Sequence, residues 1–180
     1  MKTLISVVGL AILVSSLAFG QTGQSQTNTA SFLVSTAIIV TPTPGDFGEL
    51  LAGQTYSIAA DGSIAPDVGG VATVPSMLGW DIIGQPDASV LITFGLPTYF
   101  ASDAGGAHVP YSVGPQSAGW AGTTFASGSP YNPIDPRIPN TITLTGGAAT
   151  VQLGGTLAVP ATANGGYTGT FVLTASYTGM

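Results

Sequence analysis

From Thr170 onward the chain alternates residue by residue. Phe171, Leu173, Ala175 and Tyr177 fall on one side, and Thr170, Val172, Thr174 and Ser176 fall on the other. That is the two-residue period of a strand with one face in a core. Similar short runs recur along the chain, separated by Gly, Pro, Asp and Asn. They predict strands near 29–41, 54–59, 71–74, 77–84, 89–95, 141–145, 149–153, 155–159 and 167–178. No stretch after the first twenty residues carries apolar residues at i, i+3, i+4 and i+7 with caps at both ends. Short strands at this spacing predict an all-β antiparallel sandwich.

The run at 29–41 differs from the others. Phe32, Val34, Ile38 and Val40 share one face with Thr36, while Leu33, Ala37 and Ile39 lie on the other. A strand apolar on both sides suits a central or inserted position better than an edge.

Between 98 and 140 the alternation weakens and prolines and glycines multiply. Val109–Val113 and Thr123–Phe125 are candidate short strands there, and the rest is expected to form long loops at one end of the sandwich. Tyr99, Phe100, Tyr111, Trp120, Phe125 and Tyr131 are concentrated in this segment. Two uses are open for them. Rings such as Tyr99, Tyr111, Trp120 and Tyr131 suit a sugar-stacking or protein-binding surface, and the same rings suit a satellite core beneath the loops. Trp80, alternating with Ile82, belongs to ordinary core.

The first twenty residues are laid out as a secretory signal peptide. Lys2 supplies the positive start, Leu4–Leu17 the apolar stretch, and Ala18-Phe19-Gly20 the small residues of a cleavage site. The stretch is shorter than the roughly 20 apolar residues of a membrane span, so no stable membrane insertion is expected after cleavage. Removing residues 1–20 from 180 leaves 160, beginning at Gln21. That length suits one domain with a proper core. Residues 21–28 are wholly polar and predict a disordered tail, leaving 29–180 as a single β-sandwich domain.

Past Lys2 the one basic side chain is Arg137. It stands against eight acids: Asp46, Glu49, Asp61, Asp67, Asp81, Asp87, Asp103 and Asp135, for a formal charge of −7 after cleavage. With a single cation, such a chain has almost nothing with which to displace counterions from phosphates, which excludes nucleic acid as a partner. Only 6% of residues are charged while 44% are hydrophobic, so there is ample apolar material to bury. The absence of cysteine excludes both a disulfide and a thiol catalyst.

Three stretches, in order, carry a resemblance: TPTPGDFGELLAG (41–53), WDIIGQPDASVLITFGLP (80–97) and LGGTLAVPATANGGYTGTFVLTASY (153–177). Together they resemble a family of secreted bacterial domains of unknown function related to fimbrial (pilus) subunits. The likeness spans most of the chain after the leader but not 98–140, and its ending is the most specific part. It is similar in turn to chaperone–usher subunits, which are immunoglobulin-like sandwiches lacking one strand that the next subunit's N-terminal extension supplies. Those subunits carry a tyrosine next to last, where this chain has Tyr177 fourth from the end.

The resemblance implies an immunoglobulin-like, pilin-like fold and an exported structural subunit. Its implied route runs through the inner membrane to the periplasm, then to the cell surface or beyond. Its implied partners are itself or related subunits, with a periplasmic chaperone. Phe32, Val34, Thr36, Ile38 and Val40 would form the donated strand, and Phe171, Leu173, Ala175 and Tyr177 the terminal strand beside the groove. Pairing of both terminal strands within their own monomer is the competing expectation. A monomeric secreted binding module working through the 98–140 loops is the alternative function.

Little in the chain carries chemistry. His108 is the single histidine, and no G-x-S-x-G elbow accompanies it; a solvated loop position is expected. Asp61 and Asp67 flank a turn and Asp103 lies in SDAGG, without the D-x-D-x-D spacing that calcium favours. One histidine and no cysteine leave zinc without ligands. Glu49 is the single glutamate, and a structural role is expected for it. No catalytic residue, cofactor or metal is expected, and the chain is read as non-enzymatic.

Overall fold

Strands form where polar and apolar residues alternate. Thr55–Ile58 (β2) exposes Thr55 and Ser57 and buries Tyr56 and Ile58, because one face of a pleated strand can enter a core while the other stays in water. The computed structural model describes residues 36–65, 76–122, 125 and 130–179. The expected leader, the polar tail, Phe32, Val34, Asp67, the run at 71–74 and residues 123–124 lie outside them.

The described residues hold fourteen strands and no helix. Besides β2 they are β1 (Ile39–Thr43), β3 (Ile64–Ala65), β4 (Leu78–Ile83), β5 (Ser89–Gly95), β6 (Tyr99–Ser102) and β7 (His108–Ser112). The remainder are β8 (Ala118–Ala121), β9 (Asn132–Ile134), β10 (Asn140–Thr143), β11 (Ala148–Leu153), β12 (Gly155–Ala158), β13 (Tyr167–Thr168) and β14 (Val172–Tyr177). They make three sheets, ordered β1-β4-β11-β8-β9, β10-β5-β14 and β13-β6-β7-β12-β2-β3. Every strand pairing is antiparallel.

Two apolar clusters hold the layers. In the first, Trp80 and Ile82 of β4 and Ala149, Val151 and Leu153 of β11 meet Val90, Ile92, Ile142 and Leu173 of the three-stranded sheet. The five- and three-stranded sheets thus close face to face, a sandwich-like arrangement. The second cluster lines the six-stranded sheet: Tyr56, Ile58, Phe100, Val109, Tyr111, Leu157 and Val159. Phe171 and Val113 pack against both.

The two clusters are joined where β11 runs into β12. Val151 and Leu153 are buried in the first core, Leu157 in the second, and only Gly154 separates the strands. A side chain at Gly154 would strike the Ile58 carbonyl, and one at Gly155 would strike the Tyr111 ring. The paired glycines of LGGTL are the corner at which one continuous stretch changes sheets.

Several expectations need correction. The 98–140 segment holds more strand than the two short candidates read there: among its described residues it supplies β6, β7, β8 and β9 and the start of β10, with loops between them. Pro110 lies inside β7 and Pro133 inside β9, and together with the paired glycines they blur the two-residue period without preventing these strands from pairing. The stretch 167–178 is two strands in different sheets, because Gly169 lies against the Phe100 ring where the chain crosses between them. Over its described part, the 29–41 run is an edge strand rather than a central one. β1 pairs with β4 alone among described strands, and Ile39 is 56% exposed.

Candidate functional site: the open side between β1 and β14

The last strand shows its expected faces. Leu173 is buried and Phe171, Ala175 and Tyr177 are half-buried, while Val172, Thr174 and Ser176 are exposed. β14 pairs with β5 on one side, from Val172↔Gly95 to Tyr177↔Val90. Among the described residues no strand pairs with its other side. The Thr178 amide donates to the Ser89 carbonyl at 3.0 Å. Antiparallel alternation therefore turns the backbone groups of Ser176, Thr174 and Val172 toward β5, and those of Tyr177, Ala175 and Leu173 toward the open edge.

β1 runs along that same side of the molecule, in the opposite direction. At one end the Tyr177 hydroxyl donates to the Thr36 carbonyl at 2.7 Å and accepts the Gln85 amide at 2.7 Å. At the other end Pro42 and Thr43 line a cleft of about 350 Å³ together with Thr168–Phe171. Leu78, Trp80, Phe47 and Phe100 also line this cleft. Trp80 meets Phe94 edge to face, with centroids 5.8 Å apart. The cleft thus opens where the chain enters β14, with aromatic side chains in its lining, and the far end of β14 is tied to Thr36 through Tyr177.

The proposed donor residues divide. Phe32 and Val34 lie outside the described residues. Thr36 is exposed, and Ile38 and Val40 pack on the first cluster of their own chain. Val40 pairs with Ile82 in the chain's own β1–β4 ladder.

The four aromatics considered for ligand contact do not converge. Tyr111 needs correction outright. It is 6% exposed, and its hydroxyl donates to the Gly154 carbonyl at 2.5 Å, so it is core rather than ligand surface. Trp120 packs against the first cluster, and the Tyr131 ring covers Gly119 and stacks on Phe125 at 5.1 Å. Tyr99 alone is well exposed, at 46%, with His108 against it at 4.1 Å. His108 begins β7 rather than sitting in a loop.

Asp61 serves its turn, accepting the Ser63 amide at 3.0 Å and the Ser63 hydroxyl at 2.7 Å, and these bonds hold its carboxyl below the ordinary range. Among the described residues no three of His, Cys, Asp and Glu gather as metal ligands would. Sequence reasoning missed the role of the Tyr177 hydroxyl, since nothing local connects residue 177 with residues 36 and 85. No family model, curated protein or solved structure matches the chain.

Proposed function

We propose that this chain is an exported, non-enzymatic structural subunit of fimbria-like, immunoglobulin-like type that assembles at the cell surface by strand addition. The observation that carries the reading is the outer edge of β14, with which no strand pairs among the described residues, and the aromatic-lined cleft where the chain enters it. An extended segment laid along β14 would meet the N–H and C=O groups of Leu173, Ala175 and Tyr177, which pair with no other strand among the described residues, with apolar side chains beneath for alternate residues. A bare strand edge is a liability that proteins cover or use.

The segment offered for this role precedes Thr36 and contains Phe32 and Val34. β1 itself is engaged with β4, which limits the donated part to residues upstream of it. Related subunits or a second copy would supply it, with a periplasmic chaperone covering the edge beforehand.

Size-exclusion chromatography and electron microscopy of residues 21–180 test the proposal. Linear assemblies insensitive to salt are expected, since backbone pairing and apolar insertion leave few charges to screen. Deleting residues 21–35 should abolish them while leaving β1 in place, and a peptide of residues 29–35 should stabilise the truncated protein by binding its folded form. A monomer at every accessible concentration would overturn the proposal and favour the secreted binding module instead.

A further inference from the structure

A second cleft, of about 440 Å³, lies beside Phe47. Phe100, Val109 and Leu157 of the six-stranded sheet form its floor. One wall is the turn from Gly45 to Leu50, and the other is Ala163–Tyr167.

Both walls are tied to the body. Asp46 exchanges backbone hydrogen bonds with Ser76 at 2.9 Å, and its carboxylate accepts the Gly48 amide at 2.8 Å. Gly48 has φ +74°, which the turn requires and glycine supplies without strain. The buried Tyr56 hydroxyl accepts the Leu51 amide at 2.9 Å. Opposite, the Gly166 carbonyl accepts the Asp103 amide at 3.0 Å, and the Tyr167 hydroxyl accepts the Asn164 amide at 3.3 Å. The cavity is thus preformed, and its volume is that of a small-molecule site.

Its lining sets the ligand's chemistry. The charged side chains at the cleft are Asp46 and Glu49, both acids, with no basic residue among those that line it. Phe47, Phe100 and Tyr167 contribute aromatic rings, the two phenylalanines meeting edge to face at 5.9 Å. Carboxylates beside aromatic rings in a half-enclosed space attract an organic cation and repel an anion. The side chains of a second copy of this chain are a poor source. Apart from Lys2, its one basic residue is Arg137, whose Nε and Nη2 hold the Asp135 carboxylate at 2.9 and 2.8 Å.

From these features we infer that the cleft binds an alkylammonium group brought by another molecule. Phe47, Phe100 and Tyr167 cover the carbon stem, and Asp46 and Glu49 face the charge. The cleft shares Phe47, Phe100 and Tyr167 with the one at the start of β14, but its acidic wall, Asp46 and Glu49, belongs to it alone, and strand addition along the β14 edge does not need that wall.

Nuclear magnetic resonance titration of residues 21–180 tests it, using n-butylammonium chloride, a short neutral peptide containing one lysine, n-butanol and butyrate. Both amines should shift resonances of residues 45–50 and 163–167. n-Butanol should bind at least about tenfold more weakly, and butyrate more weakly still. Glu49→Gln and Asp46→Asn should each weaken amine binding at least about threefold with the melting temperature unchanged. The amide at position 46 keeps an acceptor for the Gly48 N–H. Tighter binding of the peptide would identify a protein lysine as the source, and tighter binding of the free amine a small molecule. Equal affinity for n-butanol and n-butylammonium, no response to either amine, or undiminished binding in both variants would overturn the inference.

Discussion

The hydroxyl of Tyr111 donates to the carbonyl of Gly154 across 2.5 Å, joining residues 43 positions apart at the corner where β11 becomes β12. The ring that carries this hydroxyl fills the space a side chain at Gly155 would need. It also meets Phe100 at 5.6 Å and Phe171 at 5.3 Å between centroids. One buried phenol thus satisfies the corner's backbone and packs the second core.

Tyr111→Phe should cost about 1–3 kcal/mol, the usual cost of a buried carbonyl left without its donor, read from denaturant melts. Gly154→Ala should cost more than about 4 kcal/mol, because the obstacle is the Ile58 backbone. Burial also pushes the Tyr111 phenol well above its ordinary ionisation range. The folded protein therefore keeps a proton that the unfolded chain loses, so this contribution is complete below about pH 10 and declines as pH rises beyond it. The alkaline decline should be shallower in Tyr111→Phe.

The two faces of β14 should respond differently. Phe171→Ala removes a ring shared by both clusters and should cost about 3–5 kcal/mol, and Leu173→Ala about 2–5 kcal/mol. Thr174→Ala, on the exposed face, should stay within about 0.5 kcal/mol of the parent. Equal losses at Leu173 and Thr174 in denaturant melts would show the faces reversed.

Ala175→Pro separates folding from assembly. The Ala175 N–H faces the open edge, so proline there leaves the β5 ladder intact and removes one donor from the proposed docking edge. The expected outcome is a folded protein with a small drop in melting temperature and no linear assemblies in electron micrographs. Assemblies as long as those of the parent would mean that β14 is not the acceptor.

Asp135 is expected to titrate at about 2, because the Arg137 side chain and amide both bond its carboxylate. Since its folded value lies below the ordinary 3.8, its contribution to stability is present above that value and is lost as pH falls toward 2. The pair is exposed, so the effect on stability is small. Carboxyl resonances followed against pH should show the midpoint, and Arg137→Gln should move it upward.

Residue alternation by itself determined the all-β class, the positions of β2, β4, β5, β11 and β12, and which residues of β14 face inward. Those are local properties: a period of two assigns faces without knowledge of any partner. Only the tertiary structure decided that β4 and β5, neighbours in the chain, belong to different sheets, and that 167–178 crosses between sheets at Gly169. Periodicity says that a strand has a partner, not which strand it is. Within 98–140 only Val109–Val113, the site of β7, was legible; β6, β8 and β9 escaped because prolines and glycines interrupt the pattern, while pairing with other strands such as β7 and β11 holds them in place. The tie between the end of β14 and the chain just before β1 depends on where Thr36, Gln85 and Tyr177 meet, with the first and last 141 positions apart. No spacing rule along a chain encodes such a meeting; it exists only once the sheets have packed.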